Sequence, residues 1–294
     1  MDHIDLAILH QLMKNCRVTN REIANVTNLS VSAVHKRIKA LEEENVIIDY
    51  TARPSITALN CIPVVIIGKS RSDSMEEIKN KIGNHENVFA LSIASGNYLY
   101  ISILLRNLSE LRDAVTTITI LGDIDEPIVG IVNEGFKTQS KRFSEIERKI
   151  LKTISRNGKK SYTDISQEIG SSVKTVKRII ERMIEDDSVT FTIEWAPLYR
   201  ESFVSVIHIN INTGDNILEI QKDIFEKFNK NIIISAIFSN IPNFILLEIW
   251  TQTPSENQLI IEKLQEQDYK NVTPHILLSI SWYKCWVDNL FYIE

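Results

Sequence analysis

Apolar positions along this chain follow one pattern that occurs twice, at a spacing of 142 residues. Within each copy the apolar residues return every three or four positions, which predicts amphipathic helices with one buried face. The repeat spans nearly half of the chain, so we expect one module in two copies. The matching pairs are Ile4/Ile146, Ile8/Ile150, Leu9/Leu151, Leu12/Ile154, Val34/Val176, Ile38/Ile180 and Leu41/Met183.

The first copy begins with three predicted helices. Residues 2–14 form the first helix, and Thr19 caps the second, with Glu22 completing a capping box. After a short polar turn, Ser30 caps a third helix whose lysines and arginines face outward. Its inward residues are predicted to be Val31, Val34, Ile38 and Leu41.

The second copy repeats these elements. Ser144 caps its first helix, residues 163–169 form the middle helix, and residues 172–184 form the third. The inward residues of that third helix are predicted to be Val173, Val176, Ile180 and Met183. Two short helices joined by a tight turn, the second of them basic on its outer side, make a helix-turn-helix. The strand-like runs 46–51 and 189–195 would each supply a wing.

The stretches after each helix-turn-helix alternate short apolar runs with amphipathic helices. Both predict the order βαββαβ, a ferredoxin-like sheet covered by helices on one face. We expect the uncovered sheet faces to be buried against each other, and residues 285–294 to pack as a tail. The expected strands are 62–68, 88–94, 98–105 and 127–132 in the first copy, and 204–211, 232–238, 244–251 and 272–282 in the second.

The predicted fold class is therefore α+β, with two winged helix-turn-helix domains alternating with two ferredoxin-like βαββαβ domains. The winged helix-turn-helix domains are expected at 1–54 and 141–197. A ferredoxin-like domain is expected at 60–136, and a second ferredoxin-like domain with the tail at 202–294.

Charge alternates along these segments. The whole chain has a formal net charge of -5, yet residues 1–41 sum to +3 and residues 141–182 to +7. The two sheet segments are acidic, with -3 over 54–140 and -6 over 201–294. A polyanion would be attracted to the two helix-turn-helix segments and repelled by the rest.

Other classes of site are not expected. The cysteines Cys16, Cys61 and Cys285 are too far apart to predict a disulfide framework or a zinc site. Gly68-Lys69-Ser70 imitates the end of a P-loop, but Pro63 stands where the first glycine is needed. The six histidines form no HExxH spacing and no cluster with cysteine. We therefore expect no metal, no cofactor and no catalytic residue.

The same sequence favours a soluble protein of the cytoplasm with no membrane partner. The longest apolar runs are far shorter than the ~20 residues of a membrane span. Met1 leads directly into a charged helix instead of an apolar signal segment.

The first 54 residues contain a distinctive set of segments, which are residues 4–9 (Ile-Asp-Leu-Ala-Ile-Leu), Arg17, the run from Leu29-Ser30 to Leu41, and residues 46–48 leading to Arg53-Pro54. In these segments the chain resembles the Lrp/AsnC family of leucine-responsive, feast/famine transcriptional regulators of bacteria and archaea. It implies a sequence-specific DNA-binding regulator, with sheet domains that sense a small molecule and pair with each other. The partners so implied are double-stranded DNA, an amino-acid-like effector and further copies of this chain.

The chain departs from the family pattern at two places. Gly96-Asn97-Tyr98-Leu99 keeps the glycine and tyrosine of the effector turn but lacks its aspartate, and the second copy has no glycine there. The recognition-helix arginine, Arg37 in the first copy, is Ile179 in the second, with Arg178 displaced by one position.

Residues for DNA contact follow from the outer side of each third helix. Most should touch phosphates, whereas Ser32, Ala33 and Lys36, or Lys174 and Thr175, lie at the leading ends where base edges are reachable. The predicted DNA-binding residues are Arg21, Ser30, Ser32, Ala33, Lys36, Arg37, Lys39, Ser172, Lys174, Thr175, Lys177, Arg178 and Arg182. Gly96, Asn97 and Tyr98 either line an effector pocket or form a plain hairpin turn.

Two alternatives use the same architecture. Siroheme decarboxylases combine winged helices with paired sheets, and this chain offers His85, His208 and His275 as bases, although nothing in the sequence places them together. A pure assembly protein with vestigial helix-turn-helix units would form large oligomers and retain no DNA.

Overall fold

The computed structural model of the chain describes residues 1–133, 140–155, 157–196 and 202–290. Contacts divide these residues into two compact units. The sheet unit lies within Met1–Leu6, Ile62–Glu134 and Pro197–Tyr283, and the helix-turn-helix unit lies within Ala7–Cys61, Gly135–Ala196 and Lys284–Glu294. Segments of the same predicted type, although far apart in sequence, therefore belong to the same unit.

The two copies of the repeat contain nearly the same order of elements. The first copy contains α1 (His3–Lys14), α2 (Asn20–Thr27), α3 (Val31–Glu43), β1 (Ile47–Pro54), α4 (Ile56–Leu59), β2 (Ile62–Ser70), α5 (Met75–Gly83), β3 (Val88–Ala94), β4 (Tyr98–Leu105), α6 (Leu111–Leu121) and β5 (Ile124–Ile131). The second contains α7 (Glu145–Ile154), α8 (Tyr162–Ile169), α9 (Val173–Glu185), β6 (Val189–Trp195), β7 (Phe203–Asn210), α10 (Ile217–Phe228), β8 (Ile232–Phe238), β9 (Ile241–Thr251), α11 (Pro254–Gln265), β10 (Asn271–Trp282) and α12 (Trp286–Asn289). The predicted α+β class is confirmed.

Polar caps determine where the helices of the helix-turn-helix unit begin. Thr19 and Glu22 form the predicted capping box, and the Ser30 hydroxyl accepts the backbone N–H of the third helical residue. In the second copy Ser144 forms a capping box with its own glutamate, and Ser172 caps α9 as Ser30 caps α3. Each cap satisfies a backbone N–H that has no partner inside the helix.

The inward face of each third helix is shorter than predicted. Val34, Ile38 and Leu41 are buried, but Val31 is 48% exposed. Val173 at the equivalent position of α9 is 43% exposed, so the prediction that both valines face inward is wrong. Because side chains tilt toward the N-terminus of a helix, the first residue leans past the end of the helix and away from the core beneath it.

The predicted wings pair with each other. Strands β1 and β6 form a two-stranded antiparallel sheet in which Pro54 lies opposite Val189, Thr51 opposite Thr192, and Ile47 opposite Trp195. Because Val189 is the repeat equivalent of Ile47, each strand begins opposite the end of the other, as a local twofold axis requires. The two runs predicted as wings thus form one sheet, in which each strand satisfies the open backbone groups of its equivalent.

In the sheet unit, both βαββαβ motifs contribute to one sheet of eight strands, in the order β5-β2-β4-β3-β10-β7-β9-β8. Strand β3 of the first copy pairs with β10 of the second, from Ala94 opposite Leu277 to Ala90 opposite Trp282. The two sheets join edge to edge, because edge pairing satisfies the N–H and C=O groups that each four-stranded sheet leaves open. The expected contact between their uncovered faces is also present, since the Tyr100 hydroxyl on β4 lies 2.9 Å from Nε2 of His208 on β7.

The outermost strands of that sheet also meet. Val132, just after β5, forms a bridge with Phe238 at the end of β8. The Ser239 N–H donates to the Ile131 carbonyl at 2.8 Å, and the Asn133 N–H donates to the Ile237 carbonyl at 2.9 Å. The sheet is therefore closed into a barrel whose helices lie outside, packed on two clusters of buried aliphatic residues, one in each copy.

The end of the chain packs as a short helix in the helix-turn-helix unit. Helix α12 contacts β1, and the Arg53 Nε lies 2.7 Å from a carboxylate oxygen of Asp288. A second nitrogen of Arg53 lies 2.7 Å from Glu194 on β6. The predicted tail therefore packs over its described part, whereas Phe291 and Tyr292 lie outside the described residues.

Candidate nucleic-acid interface

Both helix-turn-helix motifs have the same turn chemistry. Helix α2 is capped at its C-terminus by Asn28, which adopts the left-handed conformation with φ 56°, and α8 is capped by Gly170 with φ 66°. These residues are repeat equivalents, and asparagine and glycine are the residues that adopt this conformation most readily at helix C-termini. The turn then leads to the cap of the recognition helix, Ser30 in α3 or Ser172 in α9.

In α3, the predicted contact residues lie on the outer side of the helix. Ser32, Lys36 and Lys39 are exposed, whereas Ala33 and Arg37 are half-buried. Lys39 lies 3.4 Å from Glu43 in an exposed pair one helical turn away. Such exposed pairs contribute little, so the lysine remains available to an external anion. Of the other predicted residues of this copy, Arg21 is exposed on α2 and Ser30 caps the helix.

Helix α9 exposes more positive charge. Lys174, Lys177 and Arg178 are exposed on its first two turns, and Thr175 is half-buried beside the Ser172 cap. Lys177 is paired weakly with Glu181 at 3.7 Å. Ile179, at the repeat equivalent of Arg37, is buried with 4% exposure, so the neighbouring Arg178 is the exposed arginine nearest to that position.

Arg182 near the end of α9 has a partner within the unit. Its guanidinium donates to Glu147 of α7 at 2.9 Å, and Lys141 lies 3.3 Å from the same carboxylate. Burial opposes ionisation of Glu147, but hydrogen bonds from Ser144 and Lys141 keep its pKa below the ordinary value. Arg182 differs in this from Lys174 and Arg178, because it faces a carboxylate that stays charged.

Cross-contacts between the copies hold the two motifs together. Arg17 donates to the Gly158 carbonyl at 2.7 Å and to the Lys160 carbonyl at 3.0 Å. At the repeat-equivalent position, the Lys159 ammonium lies 3.6 Å from the centre of the Tyr50 ring. Cations on equivalent loops thus each reach the other copy, which is a second sign of the local twofold axis. Alignment of the copies at 142 positions places Arg17 opposite Lys159, which is the sequence signal for this pair.

The inner face of the eight-stranded sheet carries polar aromatic side chains. Tyr98 packs against His275 with ring centroids 4.0 Å apart, and the Tyr100 hydroxyl lies 2.9 Å from Nε2 of His208. The two histidine rings lie 4.8 Å apart. Strands β4 and β7 are three strands apart, about 14 Å in a flat sheet, so the Tyr100–His208 contact requires the curvature of the barrel.

This cluster contains two of the three histidines considered as bases. Burial lowers the pKa of His208 to about 4, with a further contribution from the charge of His275. Burial also lowers the pKa of His275, so both imidazoles are neutral near pH 7. His85 does not join them: its Nδ1 accepts the Asn87 N–H in the turn after α5.

The predicted effector turn lies beside this cluster. Residues Ser95–Asn97 form one 3-10 turn, in which Gly96 has φ 71° and Asn97 has φ 60°. Gly96 and Asn97 are exposed, and only Tyr98 extends into the barrel. Within the described residues, no group of three or more His, Cys, Asp or Glu side chains could hold a metal ion.

Similarity to known proteins decides the family. A model for winged helix-turn-helix DNA-binding domains matches residues 1–48 and 143–190, once in each copy. The HTH-type transcriptional regulator LrpA of Pyrococcus horikoshii is 33% identical over 118 residues, which cover 84% of that protein and 40% of this chain. The chain belongs to the Lrp/AsnC family. The HTH-type transcriptional regulator FL11 of Pyrococcus furiosus is 30% identical over 116 residues, 76% of its length.

The Lrp/AsnC relatives correspond in length to one copy of the repeat, whereas one solved structure corresponds to both. The siroheme decarboxylase NirDL superposes over 99% of this chain and 97% of its own, with a TM-score of 0.63 and 14% sequence identity. At this identity the likeness concerns the fold alone. Among the described residues of this Lrp/AsnC chain, no helix has the length and apolarity that a membrane crossing demands.

Proposed function

We propose that this chain is a sequence-specific DNA-binding transcriptional regulator in which two fused modules form a pseudo-dimer. One observation supports this most directly: two helix-turn-helix motifs are related by a local twofold axis through the β1–β6 pair, and each carries a recognition helix with outward cations. A twofold-related pair of recognition helices matches two half-sites of duplex DNA. The acidic sheet segments would orient the approach of DNA toward the basic unit.

The contact residues divide into two roles. At the leading ends of α3 and α9, the side chains that could reach base edges are Ser32, Ala33 and Lys36 in the first copy, and Lys174 and Thr175 in the second. The other predicted residues would contact phosphates: Arg21, Ser30, Arg37, Lys39, Ser172, Lys177, Arg178 and Arg182. Arg182 would bind a phosphate only in competition with Glu147.

Salt dependence of binding tests this proposal. Each phosphate contact made by a lysine or arginine steepens the slope of log K against log salt by about 0.9. Arg21→Ala with Lys39→Ala should therefore make the slope shallower by about 2, and Lys177→Ala with Arg178→Ala should do the same for the second motif. Fluorescence anisotropy with genomic duplex fragments over a range of salt concentrations measures both slopes.

A matched control comes from helix α10 of the sheet unit. Lys222 is exposed and lies 3.8 Å from Glu226 one turn away, as Lys39 and Lys177 lie near their own glutamates. Lys222→Ala with Lys227→Ala removes the same charge outside the helix-turn-helix unit and should leave the slope unchanged. Equal changes for the control and test variants, or flat and negligible binding by the unmodified chain, would contradict the proposal.

The proposal includes two properties that rest on the family resemblance. An amino-acid-like effector would act near Gly96, Asn97 and Tyr98, and a titration of DNA affinity with free amino acids tests this. Association of further copies through the sheet domains would give four recognition helices per assembly, which light scattering measures as a doubled molar mass. The chain has two recognition helices even as a monomer.

A second candidate function is a siroheme-decarboxylase-like activity. The observation in its favour is that His208 and His275 lie together on the inner face of the barrel, with Tyr98 and Tyr100. Against it, His208, His275 and Tyr100 are each less than a tenth exposed and pack on one another. Mixing the protein with the tetrapyrrole discriminates the two functions, because only a tetrapyrrole-binding protein gives a new visible absorption band.

A further inference from the structure

Two exposed valines occupy the same place on the two recognition helices. Val31 and Val173 are the first residues after the serine caps, and they are 48% and 43% exposed. A single exposed valine is ordinary on a protein surface. These two, however, project beside the side chains that the proposed function places at base edges.

Comparison of the two helices along the repeat distinguishes these valines from their neighbours. The buried pairs Val34/Val176 and Ile38/Ile180 are identical, as packing in two equivalent cores would favour. Other exposed positions of the first three turns have changed, and they are Ser32/Lys174, His35/Lys177, Lys36/Arg178, Lys39/Glu181 and Ala40/Arg182. Val31 and Val173 are thus exposed and identical at the leading ends of two helices whose other exposed positions differ.

The chemistry of valine limits what it could contact there. Its side chain has two methyl groups and no donor or acceptor, so it cannot bind a phosphate or a base hydrogen-bonding group. In the major groove the apolar group that a protein can touch is the C5-methyl of thymine. An apolar side chain at this position distinguishes T·A from the other base pairs by that methyl group.

We infer that Val31 and Val173 each contact the C5-methyl of one thymine, at equivalent positions of two half-sites related by the local twofold axis. This inference rests on the proposed function. It gives the DNA target a specific form: the half-sites share this thymine but differ elsewhere, since the base-edge residues Ser32 and Ala33 of the first copy are replaced by Lys174 and Thr175 in the second. The target is an imperfect palindrome.

Deoxyuridine substitution tests the inference, because it removes only the C5-methyl from thymidine. The intact chain first selects duplexes from a random-sequence library, and the best-bound duplex is the probe. Single thymidines of the probe are then replaced one at a time. Replacement at two symmetric positions should weaken binding about fourfold each, the effect of losing one buried methyl group, and other replacements should have smaller effects.

The protein variants assign each position to one helix. Val31→Ala should abolish the deoxyuridine effect at one symmetric position and Val173→Ala at the other, with thermal unfolding unchanged because both side chains are exposed. Val26→Ala is the control: Val26 is 60% exposed on α2, outside the recognition helix, and this variant should keep both effects.

The outcomes separate this inference from the proposed function. If deoxyuridine has no effect, or its effect persists in Val31→Ala and Val173→Ala while binding stays salt-dependent, the inference alone is wrong. If selection yields no preferred duplex although DNA is bound, sequence specificity and the inference both fail. If the chain binds no DNA at any salt concentration, the proposed function and the inference are both wrong.

Discussion

Replacement of Arg53 tests how the helix-turn-helix unit is held together. Arg53 lies on β1 with its guanidinium 2.7 Å from Glu194 of β6 and 2.7 Å from Asp288 of α12. The three side chains are 19%, 21% and 13% exposed. Burial raises the pKa of Glu194, although the charge of Arg53 lowers it. One half-buried arginine thus links the β1–β6 pair to α12.

Loss of this arginine should be costly, because it leaves two half-buried carboxylates, Glu194 and Asp288, without their shared cation. Removing one partner of a buried ion pair typically costs 3–5 kcal/mol. The partial exposure of all three groups places Arg53→Gln near the lower limit, at about 3 kcal/mol. For a protein of roughly 150 to 250 residues or more, a loss of about 3 kcal/mol corresponds to a decrease of roughly 6 to 12 °C in the unfolding temperature.

Differential scanning calorimetry measures the effect, and Arg71 supplies the matched control. Arg71 also has two carboxylate partners, Asp123 at 2.7 Å and Asp125 at 3.0 Å, but it is 63% exposed. Because exposed ion pairs contribute little, Arg71→Gln should leave the unfolding temperature within experimental error. Equal decreases for the two variants would refute the argument from burial. In the background of Asp288→Asn, replacement of Arg53 should cost less than it does alone.

Further predictions concern the sheet unit. Burial raises the pKa of Glu248 to about 7, so ionisation of this carboxyl between pH 4.5 and 7 destabilises the folded state. In urea titrations, Glu248→Gln should increase the free energy of unfolding by about 3 kcal/mol at pH 8 and leave it unchanged at pH 4. Burial lowers the pKa of His208 to about 4, so the free energy of unfolding of the unmodified chain decreases as the pH falls from 6.5 to 4, and His208→Gln should remove that decrease. A Cβ at Gly130 would lie 2.2 Å from the Phe238 ring, so Gly130→Ala should cost about 1–3 kcal/mol by overpacking, and Phe238→Leu in the same chain should recover part of that cost.

Much of the local structure could be predicted from the sequence. Periodicity and polar caps placed α2, α3 and α9 within a residue or two, because Thr19, Ser30 and Ser172 act through local backbone geometry. Strands β3 and β4 have their predicted limits. Helix α6 begins at Leu111, because the preceding residues Leu108–Glu110 form a separate 3-10 turn. Limits of this kind are set by hydrogen bonds that periodicity does not encode.

Pairing between the copies could not be predicted in the same way. Which strand edge meets which depends on open backbone groups 140 or so residues apart, as with Pro54 and Val189, and no side-chain pattern specifies that partner. The Tyr100–His208 contact likewise follows from barrel curvature, whereas His208 and His275 lie on the paired strands β7 and β10. Val31 and Val173 were misplaced because a spacing rule ignores the end of a helix. The proposed DNA contacts remain predictions.

Covalent linkage of the two motifs has a consequence for how such a regulator would respond to its own abundance. A regulator assembled from separate protomers loses its paired form on dilution below the dissociation constant of the dimer. Here β1 and β6 belong to one polypeptide, so the stoichiometry of the two heads stays one to one at any expression level. Occupancy of a target would then rise with the first power of protein concentration, without the steeper threshold that prior dimerisation imposes.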